Sequence, residues 1–164
     1  MGSTPCRETR FICDDHLGRL ARYLRAGGFD TAYEKDISDS RLIQVALDDG
    51  RRILTRDRRL IERTLVRDVF LVTADRWPEQ IQEVMQHFDL GYSRERMFTR
   101  CLEDNALTLT VAKETIEAKV FPYTYVHHDV YRLCPACRRI YWSGTHVDAM
   151  IARLRRHGIV VAQV

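Results

Sequence analysis

Regular patterning begins at Arg10. The apolar run Phe11-Ile-Cys13 ends at Asp14, and Leu17, Leu20, Ala21 and Leu24 then recur at helical spacing. This predicts a short buried strand ending in an acid and a helix that Gly27-Gly28 stops. Phe29 to Tyr33 has the length of a second strand. Ser38 or Asp39 can cap the next helix, whose Leu42, Ile43, Ala46 and Leu47 share a face and which ends before Gly50. Arg52-Ile-Leu-Thr-Arg-Asp57 repeats the pattern of strand then acid, and Leu60, Ile61 and Leu65 continue as a helix. Val69 to Thr73 forms a fourth strand. Pro78 suits the first turn of a helix carrying Ile81, Val84, Met85 and Phe88 on one side.

Short apolar strands alternating with helices predict an α/β fold, a parallel sheet flanked by helices. The pattern changes near Gly91. Ala106 to Val111 alternates as an exposed strand does, and Tyr131 to Trp142 predicts a hairpin around Cys134-Pro-Ala-Cys137. Val147, Met150, Ile151 and Leu154 mark a last helix, with Arg153, Arg155 and Arg156 near its end and Gly158 beyond it. The expected organisation is a flexible tail over 1–9, an α/β domain over 10–96, and a small zinc-ribbon-like β module with a C-terminal helix over 97–164.

Composition narrows this picture. A chain of 164 residues, 45% hydrophobic, suits one folded domain with a small appendage. No apolar run approaches the roughly 20 residues that span a bilayer, and the first ten residues carry no secretory pattern. The cytoplasm is the expected location. The odd cysteine count (Cys6, Cys13, Cys101, Cys134, Cys137) then points to metal binding or to no special role, rather than to a disulfide framework. A net charge of +3 does not by itself imply nucleic acid. The choice of base says more. Only Lys35, Lys113 and Lys119 are lysines, and arginine suits bidentate phosphate contacts, although a genome-wide arginine preference gives the same count.

Parallel sheets present ligand sites at the carboxyl ends of their strands. Asp14, Asp57 and Asp75 fall at or just past such ends, and Asp36 and Asp39 follow the second strand. Two or three carboxylates at one point bind Mg²⁺ or Mn²⁺ through oxygen, and such an ion neutralises charge building on a phosphate under attack. Asp14 and Asp57 are the first candidates for metal ligands, with Asp39, Asp36 and Asp75 as further catalytic acids. Each also has a plainer role. Asp14 (or Asp15) and Asp57 can cap the helices that follow, Asp36 and Asp39 suit the positive end of a helix, and Asp75 suits a turn.

Arg19, Arg22 and Arg25 step three residues apart along the first helix, and Arg56, Arg58 and Arg59 flank Asp57. A basic rim around an acidic pit would hold a polynucleotide backbone while the pit holds metal. The alternative is a solvated helix face supported by an Asp15–Arg19 pair. His16, beside the acids, can touch a phosphate or stand as an exposed bystander.

Cys134-x-x-Cys137 at a hairpin is a zinc-knuckle signal, and structural zinc takes four ligands. Cys101 supplies a third. Asp104 stands three residues on, where a first knuckle places its second ligand, so Cys101, Asp104, Cys134 and Cys137 can close a tetrahedron. His127, His128 or His146 can substitute, or the hairpin can persist without zinc. A redox role is less favoured, since the pair follows no βαβ start.

Together these segments resemble the Mut7-C RNase family, a PIN-like group with a C-terminal zinc ribbon. The carriers are Phe11-Ile-Cys-Asp-Asp-His-Leu-Gly-Arg-Leu-Ala-Arg-Tyr-Leu-Arg25, Gly28-Phe-Asp-Thr31, Arg52-Ile-Leu-Thr-Arg-Asp57, Cys134-Pro-Ala-Cys-Arg-Arg-Ile-Tyr-Trp142 and Gly144-Thr-His146. The likeness runs from Arg10 to about Leu154. It implies a PIN-like sheet, RNA cleavage, and an acidic motif on Asp14 and Asp57 with Asp36 or Asp39 beside it. It also implies a four-cysteine ribbon, from which this chain departs at Asp104. The resulting expectation is a metal-dependent ribonuclease with RNA as partner, DNA remaining an open substrate. A non-catalytic RNA-binding module and a protein-interaction module that docks through its ribbon are the alternatives.

Overall fold

The computed structural model describes residues 9–63 and 68–163. The expected tail, apart from Thr9, lies outside this range, as do Cys6 and Leu65. The side chains of Arg63 and His146 are also outside it.

The first half is a four-stranded parallel sheet: β1 (Phe11–Cys13), β2 (Thr31–Tyr33), β3 (Arg52–Thr55) and β4 (Val69–Leu71), in the order β2-β1-β3-β4. Helices α1 (Gly18–Ala26), α2 (Asp39–Asp49), α3 (Arg58–Arg63) and α4 (Trp77–His87) join or follow them. The two-residue repeat of a strand sorts the side chains between two layers. Phe11, Cys13 and Leu54 enter a core with Leu20, Leu24, Ile81 and Val84 of α1 and α4. Ile12 and Ile53 point the other way, against Leu42 and Ala46 of α2 and Leu60 of α3. Helices therefore cover both faces, as the short apolar strands predict. The chain leaves β1 for β2 on one side and returns past it to β3 on the other. A crevice thus opens at the carboxyl ends of β1 and β3, where such sheets place ligands.

The local signals act as the sequence suggests, with shifts of a few residues. The Ser38 hydroxyl caps α2 by accepting from the backbone N–H of Arg41 (3.3 Å), and Pro78 occupies the first turn of α4. A 3₁₀ turn over Asp15–Leu17 precedes α1. The second strand begins at Thr31 rather than Phe29. Gly28 has φ +83, and a Cβ there would lie 2.6 Å from the carbonyl oxygen of Arg96, so the chain still turns at this point.

The second half holds β5 (Tyr92–Ser93), β6 (Leu109–Val111), α5 (Pro122–His127), β7 (Tyr131–Leu133), β8 (Ile140–Trp142), α6 (Thr145–Arg156) and β9 (Val161–Ala162). β6, β7 and β8 make an antiparallel sheet, and β5 pairs with β9 in parallel. The expected strand at 106–111 is confined to Leu109–Val111, because Ala106 and Thr108 pair back onto residues 99–101. Cys101, Cys134, Tyr141, Val147, Ile151 and Leu154 join the same core as Phe11 and Leu24. No helix among the described residues is long and apolar enough to cross a membrane.

Polar groups tie the halves together at the amino ends of the strands. Asp30, buried, accepts from Arg51 (2.5 Å) and from the Asn105 amide (2.7 Å), with Arg100 at 3.4 Å. Burial pushes its carboxyl upward, but these hydrogen bonds and the charges of Arg51 and Arg100 outweigh it and hold the pKa below the ordinary value. Because the folded pKa is depressed, the contribution of Asp30 to stability is complete above the unfolded carboxylate pKa, about 3.9. It is lost as pH falls through the lower folded value. Asp30→Ala is expected to cost about 3 kcal/mol at pH 7, since it strands Arg51 and Arg100 in a buried setting. Denaturant titration should show that deficit shrinking as pH falls below the ordinary carboxylate range, and a constant deficit would contradict the linkage.

Candidate functional site

β1 ends at Cys13, directly before Asp14, and β3 ends in Thr55, with Asp57 two residues on. Cys13 sits opposite Leu54, and the Asp14 backbone N–H donates to the Leu54 carbonyl (2.9 Å), so the two strand ends stay in register past the last ladder pair. The buried Thr55 hydroxyl lies between the acids. It donates to Asp14 Oδ2 (2.7 Å) and accepts from the Asp57 backbone N–H (2.9 Å). Asp14 occupies the cap position of the 3₁₀ turn, yet its side chain makes no capping bond. Asp57 does make one, since its Oδ1 accepts from the Arg59 N–H (2.8 Å) at the start of α3. These contacts leave Asp14 Oδ1 and Asp57 Oδ2 without a hydrogen-bond donor among the described residues. Two half-buried carboxylates with unused oxygens can bind a hard divalent cation.

The other acids surround this pair without converging on it. Asp75 forms an ion pair with Arg56. The Asp36 backbone N–H donates to Asp15 Oδ1 (2.8 Å), and Asp36 adopts a left-handed φ of 59. Asp39 is exposed in the first turn of α2, a position its charge favours on its own. The negative field at this edge registers on Tyr33, whose hydroxyl donates to the Asp15 carbonyl (3.1 Å). Burial, with the charges of Asp15 and Asp36, raises the Tyr33 phenol above its ordinary pKa. Glu83, which sequence reasoning passed over, accepts from the Thr73 and Ala74 backbone N–H groups (2.9 and 3.1 Å) and from the Thr73 hydroxyl. It thereby fixes the loop that carries Asp75. Glutamate six residues into a helix gives no pattern to signal such a loop anchor.

The basic residues divide. Arg19, Arg58 and His16 are exposed, and Arg19 lies over the Trp77 ring (5.4 Å). Arg22 pairs with Glu103 (2.7 Å), and Arg56 with Asp75. Arg25 corrects the expected stripe. It is buried, and its Nε and Nη1 donate to the carbonyls of Thr31, Leu102 and Glu103 (2.7–2.9 Å), so it braces the second half against α1 instead of facing RNA. Three-residue spacing carries Arg25 around the helix toward the core face, because 3.6 residues complete each turn.

The cysteine module assembles as expected. Ligand atoms of Cys101, Asp104, Cys134 and Cys137 all lie within 4.8 Å of one another, the one such group of three or more acidic, histidine or cysteine donors among the described residues. Cys101 and Cys137 sulfurs are 3.6 Å apart, and Asp104 Oδ2 lies 3.4 and 3.1 Å from the Cys101 and Cys134 sulfurs. Tetrahedral Zn–S bonds of about 2.3 Å imply sulfur separations of about 3.8 Å. The cluster therefore has metal-site dimensions, and none of these cysteines forms a disulfide. Backbone N–H groups of Asp104 and Cys137 point at the Cys101 and Cys134 sulfurs (3.5 Å each). Burial pushes the Cys101 thiol up, but the Tyr141 hydroxyl (3.2 Å) and the backbone N–H groups of Asp104 and Glu103 outweigh it and lower its pKa. His127 and His128 pack against Tyr123 and Trp142 instead of joining the donors.

Clefts of about 610 and 640 Å³ lie away from the acids, one at the amino ends of the strands and one between α4 and β9. Neither cleft is lined by Asp14 or Asp57. Thr55→Val keeps the shape but removes both hydroxyl bonds and leaves the Asp57 N–H short of a partner. It should lower stability by about 1 kcal/mol in denaturant titration. An unchanged midpoint would show that the hydroxyl does not tie the two strand ends.

A family model described as the Mut7-C RNAse domain matches residues 9–154. No match to a curated protein accompanies it. The match spans the parallel sheet, the aspartate pair and the cysteine cluster, and its name points to a nuclease-type hydrolase. The chain belongs to the Mut7-C RNAse domain family.

Proposed function

We propose that the chain is a metal-dependent ribonuclease whose Mg²⁺ or Mn²⁺ ion is held by Asp14 and Asp57. The observation that carries this reading is the pair itself: two carboxylates joined through Thr55 at the ends of adjacent parallel strands, in a family named for RNase activity. When bound, the ion would supply Lewis-acid stabilisation of the charge that develops on a phosphodiester. The chain's own groups do the rest. Thr55 orients Asp14, and Asp57 is held by the start of α3. Arg56, kept near the site by Asp75, and exposed Arg19, Arg22 and Arg58 hold the RNA backbone through phosphate contacts. His16 faces the incoming strand. Asp36 and Asp39 add negative potential at the rim and stand as further catalytic acids in this proposal.

One observation favours a second reading, a non-catalytic RNA-binding module. Among the described residues no three carboxylates at the sheet edge come within 4.8 Å of one another. The experiment that separates the two is cleavage of mixed single- and double-stranded RNA with Mn²⁺, with EDTA, and with purified Asp14→Asn and Asp57→Asn. The nuclease reading expects each substitution to reduce the rate by about 100-fold or more, comparable to removing one preorganised charge-stabilising group. Folding should be largely retained. RNA binding with no carboxylate-dependent cleavage would favour the binding module.

For the second cluster we propose zinc, held by Cys101, Cys134, Cys137 and Asp104. Three thiolates and one carboxylate suit a borderline-soft ion. Native mass spectrometry should then find one zinc per chain, and chelation should lower the thermal midpoint. Asp104→Ala should weaken retention and Asp104→Cys should preserve it. A chain that purifies without metal and keeps its midpoint under chelator would contradict the assignment.

A further inference from the structure

A second feature on the same edge of the sheet involves residues with no part in either metal site. Arg19, Trp77, Arg153, Arg156 and His157 line a cleft of about 480 Å³. It is built from the first turn of α1, the first residue of α4 and the carboxyl end of α6. Arg19 follows Asp14 by five residues, and Trp77 follows Asp75 by two. The amino ends of α1 and α4 follow the carboxyl ends of β1 and β4, so the cleft lies at the end of the sheet that carries the aspartates. Among the described residues its lining carries three arginines and one histidine, and no carboxylate.

Helix-end electrostatics explain only part of this. Arg153 and Arg156 suit the negative carboxyl end of α6. Arg19 does not gain in the same way, because it lies at the positive amino end of α1, where a cation is disfavoured. Aromatic contacts hold the group in place. Trp77 stacks on Tyr23 with centroids 4.1 Å apart and planes 5° from parallel, and Arg19 lies over the Trp77 ring at 5.4 Å. His157 meets the same ring edge-on at 5.1 Å, and Arg153 Nη1 donates to the Tyr23 hydroxyl (3.4 Å). The indole is already occupied by these neighbours, so the cleft is shaped for an anion more than for a stacked base. Arg153, Arg156 and His157 are exposed at its rim.

We infer that this cleft is a phosphate-binding subsite that holds the backbone of single-stranded RNA a few nucleotides from the aspartate pair. The inference rests on the ribonuclease reading only for the identity of the ligand. The guanidinium groups would contact phosphate oxygens, sequence-independently.

The test uses the full chain in buffer with neither chelator nor added Mg²⁺ or Mn²⁺, so that the cysteine cluster keeps its metal, and a fluorescent oligoribonucleotide, so binding is read without cleavage. Arg153→Ala/Arg156→Ala should weaken binding on the order of tenfold. It should also reduce the slope of log affinity against log salt by about 1.4, from two lost contacts to a single strand. Arg139→Ala/Arg155→Ala removes the same charge outside the cleft and should change affinity by less than about threefold, with a smaller change in slope. Equal losses in the two pairs would mean a diffuse positive field, and no loss in the first pair would mean no site. Either overturns the inference. A second readout leaves the arginines intact. In Trp142→Phe, Trp77 is the remaining tryptophan, and its fluorescence should change saturably along the binding curve. A silent Trp77 at full occupancy would also overturn the inference. Failure of the nuclease reading would appear separately, as absent cleavage by the wild-type chain with Mn²⁺, and would leave these binding curves unaffected.

Discussion

Two carboxylates at the ends of neighbouring strands repel one another, and the first half of the molecule is arranged to hold them there. Parallel pairing of β1 with β3 brings Asp14 alongside Thr55. The Thr55 hydroxyl then gives Asp14 a donor and takes the Asp57 N–H as its own. The strands can end side by side because their side chains alternate between two apolar layers, one under α1 and α4 and one under α2 and α3. Shifting β1 by one residue would exchange those layers and rotate Asp14 away. The register that packs the core is therefore also the register that assembles the acidic edge.

The second half depends on the first through polar ties as much as through packing. Arg25 reaches from α1 to the carbonyls of Leu102 and Glu103, in the short loop that presents Cys101 and Asp104 to the Cys134–Cys137 hairpin. Asn105, one residue further, donates to Asp30 and accepts from the Thr31 N–H. The Tyr141 hydroxyl bridges the Cys101 sulfur and the Leu102 N–H from the hairpin side. Loss of the cysteine cluster would therefore loosen the brace on α1, whose amino end leads directly from the aspartate pair.

Much of this was legible because it is local. Strand, acid and helix succeed one another within about fifteen residues at Phe11–Leu24 and again at Arg52–Leu60, so periodicity and placement could be read together. Cys134-x-x-Cys137 announced its hairpin, and Asp104 stood at the spacing a missing ligand would occupy. What escaped was non-local or depended on facing. The β5–β9 pairing joins two-residue strands almost seventy positions apart, with no pattern of their own. Arg25 looks like Arg19 and Arg22 in sequence, but lies on the buried side of the helix. Asp30 reads as a loop residue until Arg51, Arg100 and Asn105 gather around it. The 3₁₀ stretch Lys113–Lys119 and helix α5, with Phe121 and Tyr123 exposed, gave no amphipathic signal because they pack little of either face.

The nuclease reading depends on the pairing of Asp14 with Asp57, and a metal located directly would test it best. Crystals grown without divalent metal and soaked in Mn²⁺ should give an anomalous difference peak at the carboxyl ends of β1 and β3, within about 2.0–2.4 Å of an oxygen from each aspartate or one water away. A peak elsewhere on the sheet, or none at this edge at saturating Mn²⁺, would contradict the account.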